Sequence, residues 1–145
     1  MIGSGLKVGV VQLRHSTNVW ANAQRALESI GLFHRAGADL VLFPECYLSG
    51  FSPALRSFDD ELVQKSLEQI ERACRWYEIA CFLPSAIQED NSLFNGGYWI
   101  TPGEPMVPFY KQSLMAGEER LFVARNISKR YFEWKGFKVG FLICK

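Results

Sequence analysis

A run of four apolar residues, Leu40-Val41-Leu42-Phe43, is the feature that most constrains the fold of this chain. It follows a segment whose apolar residues recur at spacings of three and four, as they do on one face of a helix. A valine-rich segment, residues 7–13, precedes that helix and has the composition of another strand. Strands buried on both faces have such continuous apolar runs, and two of them joined by a helix make a parallel βαβ unit. The sequence therefore predicts an α/β fold.

Both predicted helices have recognisable starts. The first is capped by Ser16 or Asn18 and ends near Gly37, since glycine suits a left-handed cap. Its apolar face consists of Trp20, Ala23, Leu27, Ile30 and His34. The second begins near residues 59–61, because carboxylates stabilise a helix amino terminus. Its apolar face consists of Leu62, Leu67, Ile70, Ala73, Cys74 and Tyr77.

The rest of the chain is predicted to be mostly strands. Residues 79–83 form a short buried strand, and residues 86–110 form short antiparallel strands separated by tight turns. Residues 111–129 are polar and irregular, which is typical of a functional loop with one helical turn. A hairpin of residues 131–134 and 137–143 follows, and its last strand alternates apolar and other residues up to Cys144. We expect a single α/β domain.

Composition excludes several classes of function. The chain has 145 residues, 48% of them apolar, 21% charged, and a net charge of +1. Without a basic run or a long apolar segment, we expect no nucleic-acid partner, no membrane association and a cytoplasmic location. The four cysteines contain no CxxC pair, and neither His15 nor His34 has metal-site spacing from them, so we expect no metal site.

Three reactive side chains fall at predicted strand ends, where ligands collect in parallel α/β sheets. Glu45 follows the Leu40–Phe43 strand, Lys111 follows the strand that ends at Tyr110, and Cys144 follows the last strand. A thiol must lose its proton to attack a carbonyl or nitrile carbon, which a nearby ammonium favours. A carboxylate can take that proton as general base. The three residues would therefore form a nucleophilic site if they converge.

The segments around these residues resemble the nitrilase superfamily. GADLVLFPECYLSGF (residues 37–51) resembles the element carrying its catalytic glutamate, FYKQSL (109–114) the element carrying its lysine, and KVGFLICK (138–145) the strand ending in its cysteine. The three occur in the family's order, at intervals of 66 and 33 residues. KVGVVQL and LFNGGYWITPGE resemble further strands of the family, so the resemblance covers essentially the whole chain.

The resemblance implies a fold and a set of roles. We expect half of a four-layer αββα sandwich, with residues 1–145 forming the amino-terminal part of a single carbon–nitrogen hydrolase domain whose carboxyl-terminal part is absent. Cys144 would be the nucleophile, Glu45 the general base and Lys111 the oxyanion partner. The backbone N–H of Lys145 would be a second oxyanion donor.

Several further residues are candidates around this site. Many family members use a second glutamate after the lysine, for which Glu118 is the choice and Glu119 the rival. The side chains of Tyr47, Phe51 and Asn95 either line the pocket or pack in the core. Packing is predicted for Tyr110. Cys46, Cys74 and Cys81 are predicted to be structural, with Cys46 turned away from Glu45 by strand alternation.

The predicted function is hydrolysis of a non-peptide carbon–nitrogen bond in a small amide, carbamoyl compound or nitrile. The reaction would run through a cysteine thioester acyl-enzyme, with water as second substrate and without a cofactor. Family members commonly form homo-oligomers, so one is expected here. Two alternatives stay open: a non-catalytic binding or assembly module, and the glutaminase domain of an amidotransferase.

Overall fold

The computed structural model describes residues 5–14, 16–52, 58–126 and 131–144. Its elements in chain order are β1 (Val8–Val10), α1 (Val19–Arg35), β2 (Leu40–Leu42), α2 (Asp60–Tyr77), β3 (Ala80–Glu89), β4 (Ser92–Ile100), β5 (Val107–Tyr110), a short 3₁₀ helix (Glu118–Arg120), β6 (Phe132–Trp134) and β7 (Phe137–Val139).

Strands β1 to β5 form one sheet in sequence order. β2 runs parallel to both β1 and β3, while β4 is antiparallel to β3 and β5. The predicted parallel βαβ unit and the antiparallel strands after it are therefore confirmed. β1 is shorter than predicted, whereas β3 continues to Glu89 in a long hairpin with β4.

The helix caps agree with the sequence, but one helical face does not. Asn18 caps α1 by accepting the Ala21 N–H, and Gly37 has a left-handed φ of 76°. Trp20 is 49% exposed, so its assignment to the buried face is wrong. His34 is exposed as well. The buried face is rotated toward Asn22, a polar residue that hydropathy assigns to the surface.

The two faces of the sheet carry separate apolar clusters. α1 and α2 cover one face, where their side chains pack on Val41, Cys81 and Leu83. Leu40, Phe82, Trp99 and Phe109 lie on the opposite face with Phe132 of β6. A helical layer on a mixed sheet is the α/β half-sandwich that the sequence predicts.

The last predicted strand is wrong in its extent. β7 ends at Val139, and residues 140–144 have no strand pairing within the described part of the chain. β6 is three residues long and provides partners for Phe137–Val139 alone, so the ladder stops there. Phe141 and Ile143 still pack against the second cluster. Alternation thus predicted the side of the segment that is buried, but not its hydrogen bonding.

Candidate active site

Lys111 lies between two carboxylates. Its Nζ is 2.9 Å from Glu45 Oε1 and 3.0 Å from Glu118 Oε1. The Lys111 side chain is only 2% exposed, so this ammonium has little contact with water. A buried charge is costly unless it is paired, and here two carboxylates pair with it. The structure thus brings three of the four predicted catalytic side chains into direct contact.

The loop after Glu45 is held by a buried polar side chain. Asn22 Nδ2 donates to the backbone oxygens of Ser16, at 2.7 Å, and Leu48, at 3.0 Å. Gly50 has a φ of 73°, and a Cβ there would lie 2.5 Å from Ser16 O. The loop therefore packs closely on the segment before α1, which fixes the chain on the carboxyl side of Glu45.

Lys111 and Glu118 are positioned by their own backbone contacts. The Lys111 N–H donates to Asn95 O at 2.8 Å, which continues the β4–β5 pairing by one residue. Glu118 opens the 3₁₀ helix, and its Oε2 accepts the Met115 N–H at 2.5 Å. This helix is the single helical turn predicted for the polar loop.

Burial and ion pairing act in opposite directions on the site. Burial alone would raise the pKa of Glu118, but the Met115 N–H, Lys111 and Asn95 together hold it below its usual value. Burial would lower the pKa of Lys111, yet its bonds to Glu45 and Glu118 raise it. Lys111 is therefore a fixed cation and Glu118 a fixed anion near neutral pH.

The two glutamates differ in exposure and in the use of their oxygens. The Glu45 side chain is 31% exposed and that of Glu118 is 9% exposed. Lys111 and Asn95 both donate to Glu45 Oε1. Both oxygens of Glu118 accept hydrogen bonds, from Lys111 and Asn95 on Oε1 and from Met115 on Oε2. Asn95 and Lys111 thus use the same oxygen of Glu45, and neither of them donates to its Oε2.

Cys144 shares a cavity with Lys111. The cavity has a volume of about 500 Å³ and is lined by residues 109–113 and 141–144. That volume lies in the usual range for small-molecule sites. Cys144 is exposed, whereas the other three cysteines are buried.

The other predicted residues occupy different places. Tyr47 is fully buried in the helix-side core and packs on Phe43, so it does not line the cavity. Phe51 is 48% exposed and stacks on Phe122. Tyr110 is among the residues that line the cavity, and it also packs its ring on Phe94 and donates its hydroxyl to Glu89.

Position distinguishes the two candidate glutamates after Lys111. Glu119 is exposed and accepts the backbone N–H of Gly117, so Glu118 is the glutamate in contact with Lys111. The predicted oxyanion donor Lys145 lies outside the described residues, as does His15.

The prediction that strand alternation turns Cys46 away from the site is wrong. Its Sγ–H donates to Asn95 Oδ1 at 3.6 Å, and Asn95 in turn donates to Glu45. Cys46 has a left-handed φ of 52°, so strand alternation has already ended at this residue. Burial first, and then Glu45 and Glu118, raise the pKa of the thiol to about 12. Cys46 is thus a protonated thiol beside the carboxylates.

Sequence reasoning missed the role of Asn22. Its amide is fully buried and connects α1 to the loop after Glu45, although polar side chains of this kind are mostly exposed. The one available signal was its spacing, since Asn22 lies next to Ala23 on the inner side of the helix. Such a residue can be recognised only when its distant partners are known.

The described residues contain neither a metal-binding cluster nor a membrane-spanning helix. Among them, no group of three His, Cys, Asp or Glu side chains is arranged to hold a metal ion. No helix in the described ranges combines the length and hydropathy required to cross a membrane.

Comparison with known proteins identifies the family. The family model for carbon–nitrogen hydrolases matches residues 7–145, and the chain therefore belongs to this family. It is 29% identical over 142 residues to an (R)-stereoselective amidase from Pseudomonas sp., covering 96% of this chain and 51% of the amidase. It is also 26% identical to a glutamine-dependent NAD(+) synthetase from Acinetobacter baylyi, covering 96% of this chain and 27% of the synthetase.

Solved structures agree on the fold. An amidase from Nesterenkonia sp. superposes with a TM-score of 0.86 at 20% identity, over 99% of this chain and 57% of the amidase. The glutamine-dependent NAD+ synthetase from Acinetobacter baumannii superposes with a TM-score of 0.82 at 25% identity, over 96% of this chain and 27% of the synthetase. The chain spans about half the length of the amidases it matches.

Proposed function

We propose that this chain supplies the nucleophile, base and oxyanion partner of an amidase-type carbon–nitrogen hydrolase. The observation that carries the proposal is the contact of Lys111 with both Glu45 and Glu118, beside a cavity that Lys111 shares with Cys144. The substrate class is a small amide, carbamoyl compound or nitrile, of a size that a cavity of about 500 Å³ admits. Residues 1–145 would then be the amino-terminal part of one hydrolase domain.

For an amide, acylation begins with the thiol of Cys144. Its sulfur attacks the carbonyl carbon while Glu45 takes the thiol proton, and the carbonyl oxygen becomes an oxyanion. Lys111 has three N–H donors, two of which the glutamates occupy, so one remains for the oxyanion. Glu45 then gives its proton to the leaving nitrogen, the carbon–nitrogen bond breaks, and ammonia or an amine leaves a thioester.

Deacylation repeats the same proton transfers with water. Glu45 takes a proton from the attacking water, and a second tetrahedral intermediate forms on the acyl carbon. Its collapse breaks the carbon–sulfur bond, returns the proton to the sulfur and releases the carboxylic acid. Glu118 stays ionised throughout and balances the charge of Lys111. Removing a donor such as Lys111 from an oxyanion site costs about 3 kcal/mol of barrier.

Ammonia release from an amide panel tests the proposal in the full-length protein. We expect hydrolysis of at least one of propionamide, butyramide and an N-carbamoyl amino acid. Cys144→Ala should lower kcat by roughly a thousandfold or more, because no other group replaces the nucleophile. Cys74→Ala, a change in the helix-side core, is the matched control and should keep near-normal turnover. An active Cys144→Ala variant, or a protein inactive on the whole panel, would contradict the proposal.

A glutaminase role is the second candidate, because two relatives are glutamine-dependent synthetases. The same residues would release ammonia from the side-chain amide of glutamine. Comparison of kcat/KM for glutamine and butyramide separates the two functions. A preference for glutamine above about a hundredfold would favour the glutaminase, and the reverse would favour the simple amidase.

A further inference from the structure

Asn95 contacts every charged member of the site. Its Nδ2 lies 2.8 Å from Glu45 Oε1 and 3.0 Å from Glu118 Oε1, while its backbone oxygen accepts the Lys111 N–H. Asn95 is 1% exposed, so water does not substitute for these bonds. A single amide group therefore bridges two carboxylates that would otherwise repel each other.

The bridge requires the Asn95 amide to have one orientation. Ionised carboxylates only accept hydrogen bonds, so the NH₂ group must face them and the oxygen must face away. That oxygen is buried and needs a donor of its own. Cys46 Sγ lies 3.6 Å from Asn95 Oδ1 and supplies the S–H.

We propose that Asn95 is a positioning residue that holds the two glutamates in place on the Lys111 ammonium, and that the Cys46 thiol fixes the orientation of its amide. This inference rests on the proposed function for its catalytic consequence. We call the contacts of Asn95 with Cys46, Glu45 and Glu118 the clamp. Cys46 is 49 residues from Asn95 in sequence, so the clamp joins the loop after β2 to the centre of β4.

The clamp also determines which oxygen of Glu45 acts as base. Asn95 and Lys111 both occupy Oε1, so within the described residues Oε2 is left for the proton of Cys144 or water. If the amide were turned over, its oxygen would face the carboxylates and drive them from Lys111. The base would then be displaced, and misplacement of a catalytic group by about 1 Å can lower the rate roughly a hundredfold.

Two sets of variants test the clamp in the full-length protein. Asn95→Leu removes the bridge, and we expect kcat to fall roughly tenfold to a hundredfold with little change in KM. Cys46→Ala should cause a smaller loss in the same direction. Cys46→Ser should restore activity toward that of the parent, because a hydroxyl also donates to Asn95 Oδ1.

A measurement independent of turnover separates failure of the clamp from failure of the proposed function. NMR titration of the ¹³C-labelled Glu118 carboxylate should give a higher midpoint in Asn95→Leu than in the parent, because a hydrogen bond to the charged form is lost. An unchanged midpoint would overturn the clamp even in an active enzyme. If the parent hydrolyses no amide, the titration alone decides the clamp. If Asn95→Leu does not fold, equal kcat and equal midpoints in Cys46→Ala and Cys46→Ser would overturn it.

Discussion

Lys111 Nζ and Glu45 Oε1 lie 2.9 Å apart, although 66 residues separate them in the sequence. Lys111 continues from β5 and Glu45 follows β2, so the contact exists only when β2 to β5 are assembled in one sheet. Its energy contributes to the stability of the sheet as well as to the chemistry of the site. Removal of either group should therefore affect both.

Replacement of Lys111 by methionine should destabilise the fold. Lys111→Met leaves two neighbouring carboxylates without their cation, and the loss of one partner from a buried ion pair costs about 3 kcal/mol or more. Urea unfolding at neutral pH measures the effect. Lys65→Met is the control, since Lys65 pairs with Glu61 on an exposed helix surface and should leave the midpoint almost unchanged. Equal midpoints for the two variants would contradict the prediction.

Adjacent glutamates should behave differently. Glu118→Gln removes a buried carboxylate that accepts bonds from Lys111, Asn95 and Met115, so we expect lower stability and at least tenfold lower kcat. Glu119→Gln changes an exposed side chain with one local bond and should leave both quantities nearly unaltered. Thermal unfolding and amide turnover on the two purified variants provide the comparison. A larger loss in Glu119→Gln would reverse the assignment.

The free energy of unfolding should be highest over a middle range of pH, which Glu118 limits on the acid side and Lys111 on the alkaline side. Glu118 has a lowered pKa, so its contribution is complete above its ordinary value of 4.5 and is lost as the pH falls through the lowered value. Lys111 has a raised pKa, so its contribution is complete below 10.5 and is lost as the pH rises through the raised value. Denaturant unfolding from acid to alkaline pH should show both limbs, and Glu118→Gln should flatten the acid one. An acid limb identical in that variant would count against the assignment.

The four cysteines should differ in alkylation rate. Cys144 is exposed, whereas burial raises the pKa of Cys81 and of Cys46, the latter to about 12. Because the reagent must reach the sulfur, the exposed Cys144 should react with iodoacetamide at least about tenfold faster than the three buried cysteines. Acrylamide, which also alkylates thiolates, is a second reagent. Peptide mass mapping over time measures the alkylation rate of each cysteine. Equal rates in the folded protein would contradict the prediction that Cys144 is the most reactive.

Two glycines test the packing of the loop after Glu45. Gly50 and Gly103 both have left-handed φ, so alanine at either position costs about 1–2 kcal/mol in the backbone. At Gly50 the new Cβ would also lie 2.5 Å from Ser16 O, whereas at Gly103 nothing lies within 4 Å. Gly50→Ala should therefore lower stability more than Gly103→Ala and should also reduce kcat by moving Glu45. An equal loss of stability in the two variants would contradict the prediction, because the loop would then accommodate the new Cβ without moving Glu45.

Local patterns were sufficient for part of this molecule. The apolar run at β2 and the helical spacing of α1 depend on neighbours in sequence, and both predicted the parallel unit correctly. The same local patterns placed Glu45 and Lys111 at strand ends, but they left open whether the two side chains meet. These inferences concern where the backbone goes, which hydrophobic patterning largely determines.

The failures concern groups whose role depends on distant partners. Cys46 bonds to Asn95 across 49 residues, and its direction comes from a left-handed φ that periodicity does not reveal. Asn22 is buried because Ser16 and Leu48 offer it carbonyl oxygens. Residues 140–144 alternate like a strand but have no strand partner among the described residues. In each case the pattern of apolar and polar residues does not indicate which distant groups become hydrogen-bond partners.

Phe141 attaches the irregular segment before Cys144 to the aromatic cluster of the sheet. Its ring stacks on Phe82 at 3.9 Å and contacts Trp99 and Phe109 on the same face of the sheet. Three residues of extended chain span at most about 10 Å, so the packing of the Phe141 ring limits the range of positions open to the Cys144 thiol. The aromatic cluster is thus the fixed point from which the short segment ending at Cys144 extends. A substitution that loosens this cluster should therefore lower the reactivity of Cys144, although it changes no group in contact with the sulfur.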